Sequence, residues 1–218
     1  MALSISSRSQ ALVQSEIRNM SIECAKVKGV NLAQGVCDME LPDIVKRGAQ
    51  QAMENGKNHY TRYDGLYPLR NAIAKKMLSY NKIPTDPEKN IIVSAGATGA
   101  FYCACMALLE SGDEVILFEP YYGYHLNTLL SLGIKPLFTT LSSQDWAIDF
   151  EQLKKIVTKK TKGILINTPA NPSGKVFLRG ELEQLAAFAV KHDLFIFTDE
   201  IYEYFLYEGR ESTRKSHP

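Results

Sequence analysis

The chain has 218 residues, 45% of them hydrophobic and 22% charged, with a formal net charge of +1. That length builds one large domain, or a domain with a small appendage. The near-zero charge supplies no field to gather nucleic acid or anionic lipid, and no apolar run reaches the roughly 18 residues of a membrane span. The start, MALSISSRSQALVQSEIR, is serine-rich without an apolar secretory core, so the expected location is cytoplasmic. Cys24, Cys37, Cys103 and Cys105 form no CxxC pair and have no histidine at ligand spacing. They read as reduced thiols used as small apolar residues, and no metal site is expected.

Helix and strand signals then alternate. QSEIRNMSIECAKVK places Ile17, Met20, Ile22 and Ala25 near helical spacing. LPDIVKRGAQQAMENG has Pro42 near a first turn and closes at Gly56. LYPLRNAIAKKMLSY repeats the helical pattern through Leu66, Leu69, Ile73, Met77 and Leu78. NIIVS reads as a short strand ending at Ser94, and TGAFYCACMALLE as a buried helix with Cys103 and Cys105 on different faces. SGDEVILFEP predicts a turn and a strand, YHLNTLLSLG a helix closed by Gly133, and KPLFTTL a strand. DFEQLKKIVT is an amphipathic helix, GILINT a strand, RGELEQLAAFAVKHD a helix and LFIFTD a strand. Strands separated by helices of this length predict βαβ units: an α/β, three-layer α-β-α fold with a mostly parallel sheet. Near-continuous apolar strands fit a sheet covered on both faces.

Ligands of open α/β sheets bind at the carboxyl ends of strands, and four such ends carry unusual residues. VSAGATGA runs from a strand into a helix through small residues. Its free N–H groups and helix dipole suit a phosphate, though a plain strand-to-helix turn has the same look. EPYYGYH clusters aromatic side chains that either stack on a planar ring or simply pack. NTPANPSGKVF holds Asn171 between prolines that fix the loop path. FIFTDEIYEYF ends an apolar strand in Asp199, a carboxylate that is costly there unless paired, with Tyr202 three residues on. A nucleotide-hydrolysing reading of LFIFTDE requires a GK[ST] loop, which the chain lacks: Val176 follows Gly174-Lys175. One ligand satisfies all four ends, pyridoxal 5'-phosphate, with Asp199 facing the pyridine nitrogen and Asn171 and Tyr202 the 3-hydroxyl oxygen.

At this point the chain resembles the class I/II aminotransferases of fold type I, aspartate/kynurenine aminotransferase-like. NLAQGVCD, HYTRYDGLYPLR, VSAGATGA, EPYYGYH, NTPANPSGKV and TDEIYEYF stand in the family's order. The resemblance implies amino-group transfer between an amino acid and a 2-oxo acid. Two alternatives stay open: a β-lyase on the same fold, or a non-catalytic fragment. It implies a homodimer, in which Tyr60 reaches the cofactor phosphate of the neighbouring subunit, and it sets Gly35 near the substrate carboxylate. Gly96, Ala97 and Thr98 match the phosphate loop. Counted from Pro120, His125 falls where the family stacks an aromatic ring on the cofactor, with Tyr124 the fallback if the loop shifts by one. The resemblance makes 1–45 an N-terminal arm and helix associated with the small domain, and 46–218 a partial large domain. The family's Schiff-base lysine lies beyond the strand after DEIY, and no lysine here matches it, Lys175 included. The chain as written is therefore expected to be C-terminally truncated and inactive by itself, its last residues, ESTRKSHP, no longer resembling the family.

Overall fold

The structure is a computed structural model that describes residues 3–12, 14–35, 37 and 39–207. The ESTRKSHP tail lies outside the described residues. Contacts divide the chain into two units, Met1–Leu12 with Tyr67–Pro218, and Val13–Leu66.

The smaller unit carries α2 (Glu16–Lys26) and α3 (Asp43–Glu54), neither with a buried residue. Ser21 in α2 accepts from Asn31 Nδ2 and donates to Gln34 Oε1, which ties the stretch before Gly35 to that helix. Gly56 follows α3 at φ +67, a conformation costly for any side chain, so the helix stops where the sequence predicts.

The larger unit begins with the short α1 (Ser7–Gln10), which the sequence did not announce. It continues through α4 (Tyr67–Lys76) into a π-helical turn, Met77–Asn81. Then come α5 (Gly96–Leu108), β1 (Glu114–Glu119), α6 (Gly123–Leu132) and β2 (Lys135–Thr140). The chain goes on with α7 (Phe150–Ile156), β3 (Thr161–Asn167), α8 (Arg179–His192) and β4 (Phe195–Asp199). The four strands lie in the order β2-β1-β3-β4, every neighbour parallel. Asp149 caps α7 by accepting from Glu151 N and Gln152 N, and Gly133 ends α6 at φ +73.

Alternation along the central strands divides the core. Ile116, Phe118, Ile164 and Ile166 pack with Leu153 of α7 and Leu185 of α8. Val115, Leu117 and Leu165 pack on the opposite face with Cys105 of α5 and Leu129 of α6. Each such side chain contributes about 1.5–3 kcal/mol by leaving water, so the three-layer arrangement follows from strands apolar on both faces. Cys105 is buried, its thiol pushed up to about 12 by burial, while Cys103 on the next face is exposed.

One expected strand is absent. Residues 90–94, NIIVS, join no ladder; Ile91 is buried and Ile92 is 70% exposed. An apolar run signals burial, but a strand also needs a hydrogen-bonding neighbour, and among the described residues none lies beside this segment.

Candidate cofactor site

The carboxyl ends of β1, β3 and β4 and the amino end of α5 surround a cavity of about 170 Å³. From the start of α5 come Gly96, Ala97 and Thr98. Gly96 opens the helix at φ +74 with open space where its Cβ would stand, while its own N–H is bonded to Ser94 O at 2.9 Å. The leading N–H groups of any helix lack internal acceptors and carry its positive dipole end, which suits an anion.

Asp199 forms the acidic wall at the end of β4. Its Oδ2 accepts from His125 Nε2 at 2.8 Å, and its Oδ1 accepts from Ile201 N at 3.1 Å. Burial pushes this carboxyl up, but the two hydrogen bonds and the facing imidazole outweigh it and hold the group below the usual carboxylate range. His125 is 5% exposed and lies edge-on to Phe101 and to Tyr122.

Asn167, last residue of β3, organises the loops. Its Nδ2 donates to Asp199 O at 3.1 Å and to Pro169 O at 3.3 Å, while its Oδ1 accepts from Asn171 N at 2.8 Å. One amide thus joins the ends of β3 and β4 to the loop that carries Asn171. From the other side that loop is held by an ion pair between Lys175 Nζ and Glu181 Oε1 at 2.7 Å, both side chains largely buried.

Of the sequence-predicted residues, Gly96, Ala97, Thr98, His125, Asn171, Asp199 and Tyr202 all line this cavity, as does Tyr124. Gly35 and Tyr60 belong to the smaller unit, and both are exposed. Sequence reasoning missed Tyr122, Phe101 and Asn167, which also line the cavity. Tyr122 stood in the same aromatic cluster as His125. The signal that separates them is chemical: an imidazole that can donate to Asp199 is drawn to the acid, whereas Tyr122 lines the cavity with its ring 5.2 Å from that of Tyr124. Burial raises the Tyr122 phenol above its ordinary value, with Tyr124, Tyr202 and Asp199 adding, so it stands neutral. Among the described residues no cluster of ligating side chains could hold a metal ion, and no helix is long and apolar enough to cross a membrane.

The sequence model of the family described as aminotransferase class I and II matches residues 27–216. The chain is 38% identical over 208 residues to an aspartate aminotransferase of Pyrococcus abyssi, covering 94% of this chain and 54% of that relative. It is 37% identical over 195 residues to mouse kynurenine–oxoglutarate transaminase 1, covering 84% of this chain and 46% of that protein. Among solved structures, aspartate aminotransferase from Thermus thermophilus with maleate superposes with a TM-score of 0.89 at 32% identity, over 96% of this chain and 56% of that one. N-succinyldiaminopimelate aminotransferase from Mycobacterium tuberculosis gives 0.89 at 32% identity, over 95% and 55%. The chain spans about half the length of the curated relatives it matches.

Proposed function

The chain belongs to the class I and II aminotransferase family, and from that premise we propose that its cavity holds pyridoxal 5'-phosphate and serves amino-group transfer between an amino acid and a 2-oxo acid. The observation that carries this reading is a carboxylate held ionised on one wall of the cavity that the amino end of α5 closes on another. The donor set fits the group: N–H groups and the Thr98 hydroxyl for a phosphate, an acid for a ring nitrogen, an amide and a phenol for a ring oxygen. When bound, the cofactor draws electrons from the substrate α-carbon.

The residues of the chain divide that work. Gly96, Ala97 and Thr98 take the phosphate, which needs close backbone approach and hence no side chain at Gly96. Asp199 keeps a proton on the pyridine nitrogen by presenting a negative charge to it. His125 donates to the same carboxylate and so keeps Asp199 ionised, rather than offering a face to the ring. Tyr122 takes the stacking role instead. Asn171 and Tyr202 orient the ring through its 3-hydroxyl oxygen.

Gly35 is assigned to the substrate carboxylate, and the exposed Tyr60 to the phosphate of a neighbouring subunit in a homodimer. Residues 1–45 are assigned to an arm associated with a small domain, and 46–218 to part of the large one. The expected setting is cytoplasmic, with small molecules rather than nucleic acid or membrane as partners. The relatives are named for amino transfer, which supports a transferase over a β-lyase.

Equilibrium dialysis tests the pocket directly. The chain is expected to retain pyridoxal 5'-phosphate, and Asp199→Asn to lose it. A wild-type chain that takes up none, or a variant that binds equally well, overturns the reading. For a protein carrying this chain, product analysis is expected to show a new amino acid rather than ammonia with a free 2-oxo acid.

A further inference from the structure

After Asp199 the chain makes a tight turn, with Glu203 N bonded to Glu200 O at 2.9 Å and Phe205 N to Tyr202 O at 2.8 Å. Tyr202 lines the cavity. The next side chain, Glu203, is clamped: Lys76 Nζ donates to its Oε1 and Asn81 Nδ2 to its Oε2, the latter at 2.9 Å. Tyr80 donates its hydroxyl to Glu203 O at 3.0 Å, and its ring lies 4.6 Å from that of Tyr204. Lys76 Nζ sits 5.2 Å and 5.6 Å from those two ring centres. The Glu203 side chain is 15% exposed and Asn81 is 1% exposed.

The backbone is built to make this clamp. Five residues apart on an α-helix, Lys76 and Asn81 would point about 140° away from each other. The π-helical turn Met77–Asn81, with its i to i+5 pairing, is wider and brings both side chains to one face. Both then meet a carboxylate more than a hundred residues along the chain, on the turn that presents Tyr202.

We infer that Glu203 is a positioning residue: gripped by Lys76, Asn81 and Tyr80, it fixes the turn that sets the Tyr202 phenol in the cavity. The inference rests on reading that cavity as a cofactor pocket, and it deepens that reading by extending the site to the π-helical turn. Glu203 touches neither cofactor nor substrate. Its effect passes through Tyr202, so it vanishes where the phenol is absent.

Two readouts on the chain test this. In cofactor-free protein, Glu203→Ala is expected to raise the rate of Tyr202 nitration by tetranitromethane about fivefold, read by peptide mass spectrometry, because a freed turn opens locally. Tyr124, which also lines the cavity but lies on α6, serves as the internal reference and stays unchanged. With pyridoxal 5'-phosphate, Glu203→Ala is expected to weaken binding about tenfold alone and not at all in a Tyr202→Phe background, the signature of coupled residues. If Glu203→Ala fails to fold, Glu203→Gln and Lys76→Met carry the same measurements, each with a smaller effect in the same direction. Unchanged Tyr202 nitration, or an equal loss of affinity in both backgrounds, overturns the inference. A wild-type chain that takes up no cofactor overturns the proposed function instead, and the nitration rates then decide this inference alone.

Discussion

Glu114 and Asp199 sit at opposite ends of one sheet, and both carboxyls are held below their ordinary range. Glu114, at the amino end of β1, is closed in. Thr158 and Thr161 donate their hydroxyls to its Oε2, and Lys135 Nζ reaches its Oε1 at 3.1 Å. The Thr158 hydrogen bond lowers this carboxyl most, against burial, with Lys135 and Thr161 helping. For Asp199, burial is the largest influence and works the other way. His125 and the Ile201 N–H overcome it, and the group still faces a cavity. An acid satisfied on all sides holds loops together, whereas one kept ionised against its burial beside open space is available to a ligand.

The sharpest way to break this comparison is to remove each acid in turn. Glu114→Ala is expected to cost about 3 kcal/mol of unfolding free energy in urea, because it removes three hydrogen bonds to a charged group and leaves the buried Thr161 hydroxyl without its acceptor, while cofactor affinity holds. Lost affinity would mean that the two ends of the sheet are coupled. Asp199→Asn is expected to lower pyridoxal 5'-phosphate affinity about a hundredfold, some 2.7 kcal/mol, with the urea midpoint nearly unmoved. A large stability loss there would make Asp199 a structural acid like Glu114.

A finer comparison replaces the partner of Asp199. His125→Phe keeps a ring but leaves only the Ile201 N–H against burial, so Asp199 protonates at higher pH. Affinity is expected to fall about tenfold at neutral pH, and its acid edge in a dialysis series to move upward. Acid unfolding sharpens the contrast further. Both carboxyls have folded values below their unfolded ones, so their stabilisation is complete above the unfolded carboxylate range near pH 4. It is lost as pH falls through the lowered folded values. Glu114→Gln is expected to flatten that acid limb by about 1 kcal/mol, read from urea midpoints between neutral pH and pH 3. Gly96→Ala is expected to cost a similar amount, about 1 kcal/mol, through its positive φ, since a Cβ there stands in open space.

Most helices and all four observed strands were legible in the sequence, because their apolar spacing survives into the structure: Val115 and Leu117 face one layer, Ile116 and Phe118 the other. The strand read at 90–94 was not, because periodicity reports burial and a ladder needs a partner. The π-helical turn was equally silent, since Met77 and Leu78 continue the helical pattern right through it. Within the site, Gly96, Thr98, Asn171, Asp199 and Tyr202 were legible from their place at element ends. His125 was legible as a member of the site, but its bond to Asp199 was not, because the two are 74 residues apart.

By itself, then, the sequence determined the alternation of helices and strands, the two-faced core and the residue types gathered at the carboxyl ends, since these follow from local spacing and from turn chemistry. Only the tertiary structure decided that His125 is bonded to Asp199, that Asn167 ties β3 to β4, and that Glu203 is gripped from a turn near residue 80. Those outcomes depend on hydrogen bonds between residues far apart in the chain. Such bonds form only when packing of the sheet and helices has brought their donors and acceptors within about 3 Å of each other.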